Sequence, residues 1–276
     1  MDVQQPDQHP RTTSVEPGPT RPAPSEPGAR EQAATELAVT GRTRHRRLRD
    51  QGSTRVADLD AILGAGFVCH LGVVVDGDPM VVPTVYGVDF DSRTLFVHGS
   101  VASRSVVRAP RATVCVTVTH VDGLVLARSV FEHGVNYRSA MIYAVPRLVT
   151  GGDELLHGLR VLTEHCAPGQ WEYARRPNAK ELAATSLLAL SLDEASVKVA
   201  SGPPGDAEGP DGQLGLWAGV IPLHTRFGAP EPDPALPGGI AVPGHVAALG
   251  GGSAGRTAPA PCPAGASGTA GAAPSS

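Results

Sequence analysis

The stretch ATVCVTVTHV, residues 112–121, constrains the fold more than any other. Val114, Val116 and Val118 fall on one face of an extended chain, while Thr113, Cys115, Thr117 and Thr119 fall on the other. Strict alternation of this kind suits an antiparallel strand with one face on a core and one face in water. Two Asp-Gly pairs, at 76–77 and 122–123, have the backbone freedom that tight hairpin turns require. The first predicts a hairpin of residues 67–75 and 80–88. The second predicts a turn that sends the chain back along LVLARSVFE. Further strands are expected in LFVHG, YRSAMIYAVPRLV, SLLALSL, ASVKVAS and LGLWAGVIPL.

Helices are few. Val56, Leu59, Ile62 and Leu63 have helical spacing, and VASRSVVRA reads as a short helix stopped by Pro110. Asp153 is placed to cap a helix striped by Leu155, Leu156, Leu159 and Leu162, and NAKELAA opens with the capping-box pair Asn178 and Glu181. The fold class is therefore mainly β with peripheral α, as a closed or split β-barrel. No GxxxxGK[ST] occurs and no GxGxxG follows a predicted strand, the one match at 250–255 lying in the Gly-rich tail, so nothing supports a Rossmann or P-loop reading.

Composition sets the limits of the domain. Residues 1–30 carry seven prolines among Gln, Ser, Thr and Glu, and the last 27 residues are almost all Gly, Ala, Pro, Ser and Thr. Such segments bury too little apolar surface to offset their ordering entropy. The expectation is a disordered arm at 1–45, one domain at 46–234 and a disordered tail at 235–276. A net charge of −4 lacks the footprint of a nucleic-acid binder. RTRHRR, with four arginines in residues 42–47, has no interleaved aromatics and reads as a solvated arm. Four cysteines without CxxC spacing indicate neither zinc nor disulfides, and the three in or beside apolar runs, Cys69, Cys115 and Cys166, read as buried thiols. With no apolar leader and no run of about 18 apolar residues, a cytoplasmic protein without a membrane segment is expected.

HExxH is absent, and the GxSxG match at 251–255 lies in the Gly-rich tail rather than at a predicted strand-to-helix turn. His70, His98, His120 and His133 lie in or at the ends of strands, where structural hydrogen bonding rather than a metal site is expected. The more informative set is VVPTVYG, FVHGSVASR and NYRSA. Pro83 interrupts a strand, which marks an edge, a bulge or a place where something else meets the backbone. A flat heteroaromatic ring needs backbone N–H and C=O groups presented edge-on. Its phosphate needs an anion seat, which HGSVASR offers where a strand enters a helix. The same residues also fit a kinked edge strand followed by an ordinary capped helix.

The order VVPTVYG, LFVHGSVASR, then ATVCVTVTHVDGLVLARSVFEHGVNYRSAMIYA resembles the flavin-nucleotide-binding branch of the pyridoxamine 5'-phosphate oxidase-like family, including its nitroimidazole-resistance proteins. AKELAAT, LDEASVKV and WAGVIPL extend the resemblance to about residues 46–234. It implies a split-barrel homodimer with FMN between the subunits. Pro83, Thr84, Val85 and Tyr86 would lie along the flavin ring. Ser103 and Arg104 would seat its phosphate, with His98 and Ser100 beside them. Trp217 matches a tryptophan that reaches the flavin from the last strand, and Tyr137, Arg138 and Ser139 form a motif of the branch. The oxidase pattern carries another basic residue after the Ser-Arg pair, where this chain has Ser105.

The implied activity is that of an FMN-dependent oxidoreductase acting on a small molecule. A deazaflavin reductase, or a non-catalytic flavin or haem module with an axial imidazole from His70, His98 or His133, is the alternative.

Overall fold

In the computed structural model, which describes residues 35–251 apart from 102, 104, 107 and 108, the alternating stretch from Val114 onward lies within a strand of 13 residues. In chain order the strands are β1 (Gly52–Ser53), β2 (Val68–Val75), β3 (Asp78–Asp89), β4 (Thr94–Ser100) and β5 (Val114–Leu126). They continue as β6 (Gly134–Ala144), β7 (Arg147–Leu148), β8 (Thr185–Ser191), β9 (Ala195–Ala200) and β10 (Gly219–Pro222). The helices are α1 (Val56–Ala65), α2 (Gly152–Cys166), α3 (Gln170–Tyr173), α4 (Ala179–Ala184) and α5 (Gly244–Gly250).

Every strand pairing is antiparallel, in the order β1-β9-β6-β5-β2-β3-β4-β8-β7, with β10 added to β5. Chain connectivity forces this sheet to curl. Between β9 and β8 lie six strand-to-strand steps, roughly 29 Å if the sheet were flat. Only residues 192–194 link the same two strands, a reach of roughly 14 Å. The fold is thus the expected mainly antiparallel split barrel, curled without β8 pairing to β9.

Its interior is filled by Leu95, Val97, Val116, Ile142, Leu190 and Val197, with Leu59, Ile62 and Leu63 of α1 closing one end. A second cluster outside the barrel joins Phe96 and Leu187 to Leu162 of α2. Gly87 lets that helix approach, because a Cβ there would lie 2.6 Å from the Leu162 Cα.

Several local expectations hold. Asp76 and Gly77 turn the β2–β3 hairpin with φ of 55° and 95°. The α4 capping box is complete: the Asn178 side chain accepts from the Glu181 N–H at 2.9 Å, and the Glu181 carboxylate accepts from the Asn178 N–H at 2.8 Å. Arg175, followed by that N–H, draws the Glu181 carboxyl down to about 2. Burial pushes the Cys69 thiol up to about 12, in keeping with an inert core thiol.

Others need correction. Asp122-Gly123 is no turn, because β5 runs through it with a bulge between Val121 and Gly123. The Asp122 carboxylate is held by Arg138, and Gly123 leaves room for β10, where a Cβ would come 2.9 Å from the Ile221 carbonyl oxygen. The chain reverses instead at a 3-10 turn, Val130–Glu132. Gly151, not Asp153, caps α2, and Asp153 sits in its first turn. Leu37 and Thr43 are buried, and His245 of α5 bonds Gln170 of α3 at 2.8 Å. Among the described residues, no helix is long and apolar enough to cross a membrane.

Candidate functional site

Strand β3 changes partners midway along its length. Residues 78–85 pair with β2, and Tyr86 to Asp89 pair with β4. Beyond the pair Tyr86↔Val97, β4 stays with β8, placing His98 opposite Leu187 and Ser100 opposite Thr185. The two strands therefore part, and the edge of residues 83–85 faces the end of β4 across a gap that no other described strand fills. Pro83 sits on that edge, where its missing N–H costs the sheet nothing.

The pleat sorts the side chains here. Pro83 and Val85 are opposite His70 and Val68, on the outer face, whereas Thr84 is opposite the fully buried Cys69. Tyr86 points the other way from Val85. Its side chain is fully buried, its hydroxyl donates to the Leu63 carbonyl at 2.7 Å, and its ring stands 5.0 Å from that of His165. Its N–H donates to the Phe67 carbonyl at 3.0 Å, so Tyr86 anchors the end of the edge from inside the sheet.

Across the gap, His98 and Ser100 are exposed and Ser103 is half-buried. The Ser103 N–H donates to the Ser100 carbonyl at 2.8 Å, and the Ser103 and Ser105 hydroxyls lie 3.0 Å apart. Gly99 is tight against this turn, since a Cβ there would meet Val106 Cγ2 at 2.6 Å. Arg104 lies outside the described residues.

The remaining expected residues are elsewhere. β6 is three strands from β3, and alternation places Tyr137 and Ser139 on one face and Arg138 on the other. Arg138 shares the inner face with Ala140 and Ile142 and grips Asp122 through Nε and Nη2, both at 2.8 Å. Its buried Nη1 has no partner. The Arg138 side chain thus lies on the barrel-interior face, and Tyr137 and Ser139 lie on the other. Trp217 precedes β10 and is 68% exposed. One chain alone brings residues 83–85 to His98, Ser100 and Ser103, but not to Tyr137, Ser139 or Trp217. Sequence reading missed the Asp122–Arg138 clamp because the Asp-Gly pair signalled a turn.

Residues 55–199 match the family model described as pyridoxamine 5'-phosphate oxidase. The chain belongs to that family. Among solved structures, it is similar to the flavocytochrome Anf3 from Azotobacter vinelandii, with 34% identity and a TM-score of 0.72 over 76% of this chain and 97% of that one. It is also similar to the FAD and haem binding protein from Mycobacterium smegmatis, with 36% identity and a TM-score of 0.68 over 72% of this chain and 97% of that one. No curated protein matches the chain.

Proposed function

We propose that the protein is a flavin-dependent oxidoreductase that also carries haem and works as a homodimer on a small-molecule substrate. The observation that carries the flavin half is the parting of β3 from β4, which leaves a backbone edge at residues 83–85 facing the serine-rich end of β4. The edge presents amide and carbonyl groups to a flat ring. Ser100, Ser103 and Arg104 hold the phosphate end. When bound, the flavin supplies hydride and electron chemistry, and the chain contributes binding, orientation and exclusion of water.

The relatives named as a flavocytochrome and as an FAD and haem binding protein support FAD in preference to the FMN expected from sequence, and support haem as a second group. A homodimer is supported by the separation of Tyr137, Ser139 and Trp217 from the gap, since a second copy is what would bring such residues to it. It is also supported by the exposed Leu214, Leu216, Ile221 and Leu223 around β10.

An absorption spectrum of the purified protein tests the reading directly. Flavin bands with a Soret band are expected; flavin bands alone remove the haem, and a deazaflavin spectrum replaces the flavin. Arg104→Ala is expected to weaken flavin binding about tenfold, the worth of one charge-assisted contact. Unchanged affinity in that variant removes the phosphate seat. Consumption of NAD(P)H with candidate acceptors then separates an enzyme from a carrier.

A further inference from the structure

We propose that His133 is an axial ligand of haem iron, presented on a braced turn at the end of the β5–β6 hairpin. This rests on the haem half of the function proposed above. Iron binds a neutral imidazole through one ring nitrogen, and the other nitrogen usually donates to a carbonyl or carboxylate that fixes the ring.

His133 has this arrangement. Its Nδ1 lies 2.9 Å from the Ser129 carbonyl oxygen, which can only accept, so Nδ1 carries the proton and Nε2 keeps a free lone pair. Among the described residues nothing hydrogen-bonds Nε2. In His45, His120, His157, His165 and His245 the nitrogen already engaged is Nε2 itself. No hydrogen bond among the described residues orients His70 or His98.

The turn beneath the imidazole is braced from a distance. Asp206, from the Gly- and Pro-rich loop after β9, has a side chain only 3% exposed. Its carboxylate accepts from the N–H groups of Arg128 at 2.5 Å and Ser129 at 3.0 Å, and from Arg128 Nη1 at 3.0 Å. The Ser129 hydroxyl in turn accepts from the Phe131 N–H at 3.3 Å. The residue whose carbonyl holds His133 is thus fixed by a buried carboxylate 77 positions away in sequence.

This rigid turn bears large apolar side chains in water. Val130 is 86% exposed and Phe131 90% exposed. Trp217 lies at the same end of the sheet, because β10 ends its ladder at Gly219↔Leu126, where β5 runs out into the turn. A turn serving only to reverse the chain favours small polar residues. An oriented imidazole beside bare apolar side chains suits a porphyrin, which has an open iron site and a large apolar rim.

The test uses the full chain loaded with haem, comparing wild type with His133→Ala, His70→Ala and His98→Ala by absorption and electron paramagnetic resonance. His133→Ala is expected to bind haem about tenfold or more weakly, to retain its flavin, and to regain the wild-type spectrum when imidazole is added. Asp206→Asn is expected to weaken haem binding in the same direction. Wild-type haem affinity and spectrum in His133→Ala overturn the assignment. So does an imidazole-rescued loss in His70→Ala or His98→Ala with His133→Ala unchanged. If the wild-type chain takes up no haem at all, the haem reading itself fails, which distinguishes that result from a wrong ligand.

Discussion

The two ends of β5 are built by opposite means. At its start, Val114, Val116 and Val118 are at most 3% exposed in the barrel interior, and apolar side-chain packing adds to the strand's pairing with β2 and β6. At its far end, Asp122, Arg138, Arg128 and Asp206 supply charged hydrogen bonds, while Val130 and Phe131 stay in water. Packing makes the first end a core. Directed polar bonds make the second end a fixed platform whose apolar surface is left for something else to cover.

The sharpest way to break this contrast is on the packed side. Gly87→Ala would place a Cβ 2.6 Å from the Leu162 Cα, so α2 must shift as a body. Denaturant unfolding is expected to show a loss of about 1–3 kcal/mol. A smaller effect is expected for Tyr86→Phe, which leaves the Leu63 carbonyl without its 2.7 Å donor. Its cost in the same assay should be about 1 kcal/mol, and flavin content should not change. The smallest effect belongs to the platform. Phe131→Ser should alter chain stability by about 0.5 kcal/mol or less, because the ring is 90% exposed. A Phe131→Ser variant as unstable as Gly87→Ala would show that the turn belongs to the packed core and would end the contrast.

Much of the fold was legible because local rules wrote it. The alternation of Val114 to Thr119, the Asp76-Gly77 turn and the Asn178–Glu181 box each act over a few residues, and each appears where the sequence placed it. The site was legible in part. Pro83 marks a free edge, as a proline in a strand should, and His98, Ser100 and Ser103 face it across the gap. The face of each side chain was not legible: on β3 Tyr86 turns into the core, and three strands away on β6 Arg138 turns into the barrel.

What the sequence determined alone was most of the strands, three of the helices (α1, α2 and α4), their antiparallel character and a resemblance to the family whose model residues 55–199 match. Tertiary structure decided what the ambiguous residues became. Asp122-Gly123 has turn chemistry, yet Arg138 claims the carboxylate and β10 needs the space beside the glycine, so a bulge results. Asp206 sits in a loop with no signal of its own and becomes the brace of a turn 77 residues earlier in the chain. Periodicity and capping depend on neighbours within one turn or one hairpin. Pairing of charges across the sheet depends on which strands the barrel brings together, and no short window of sequence contains that information.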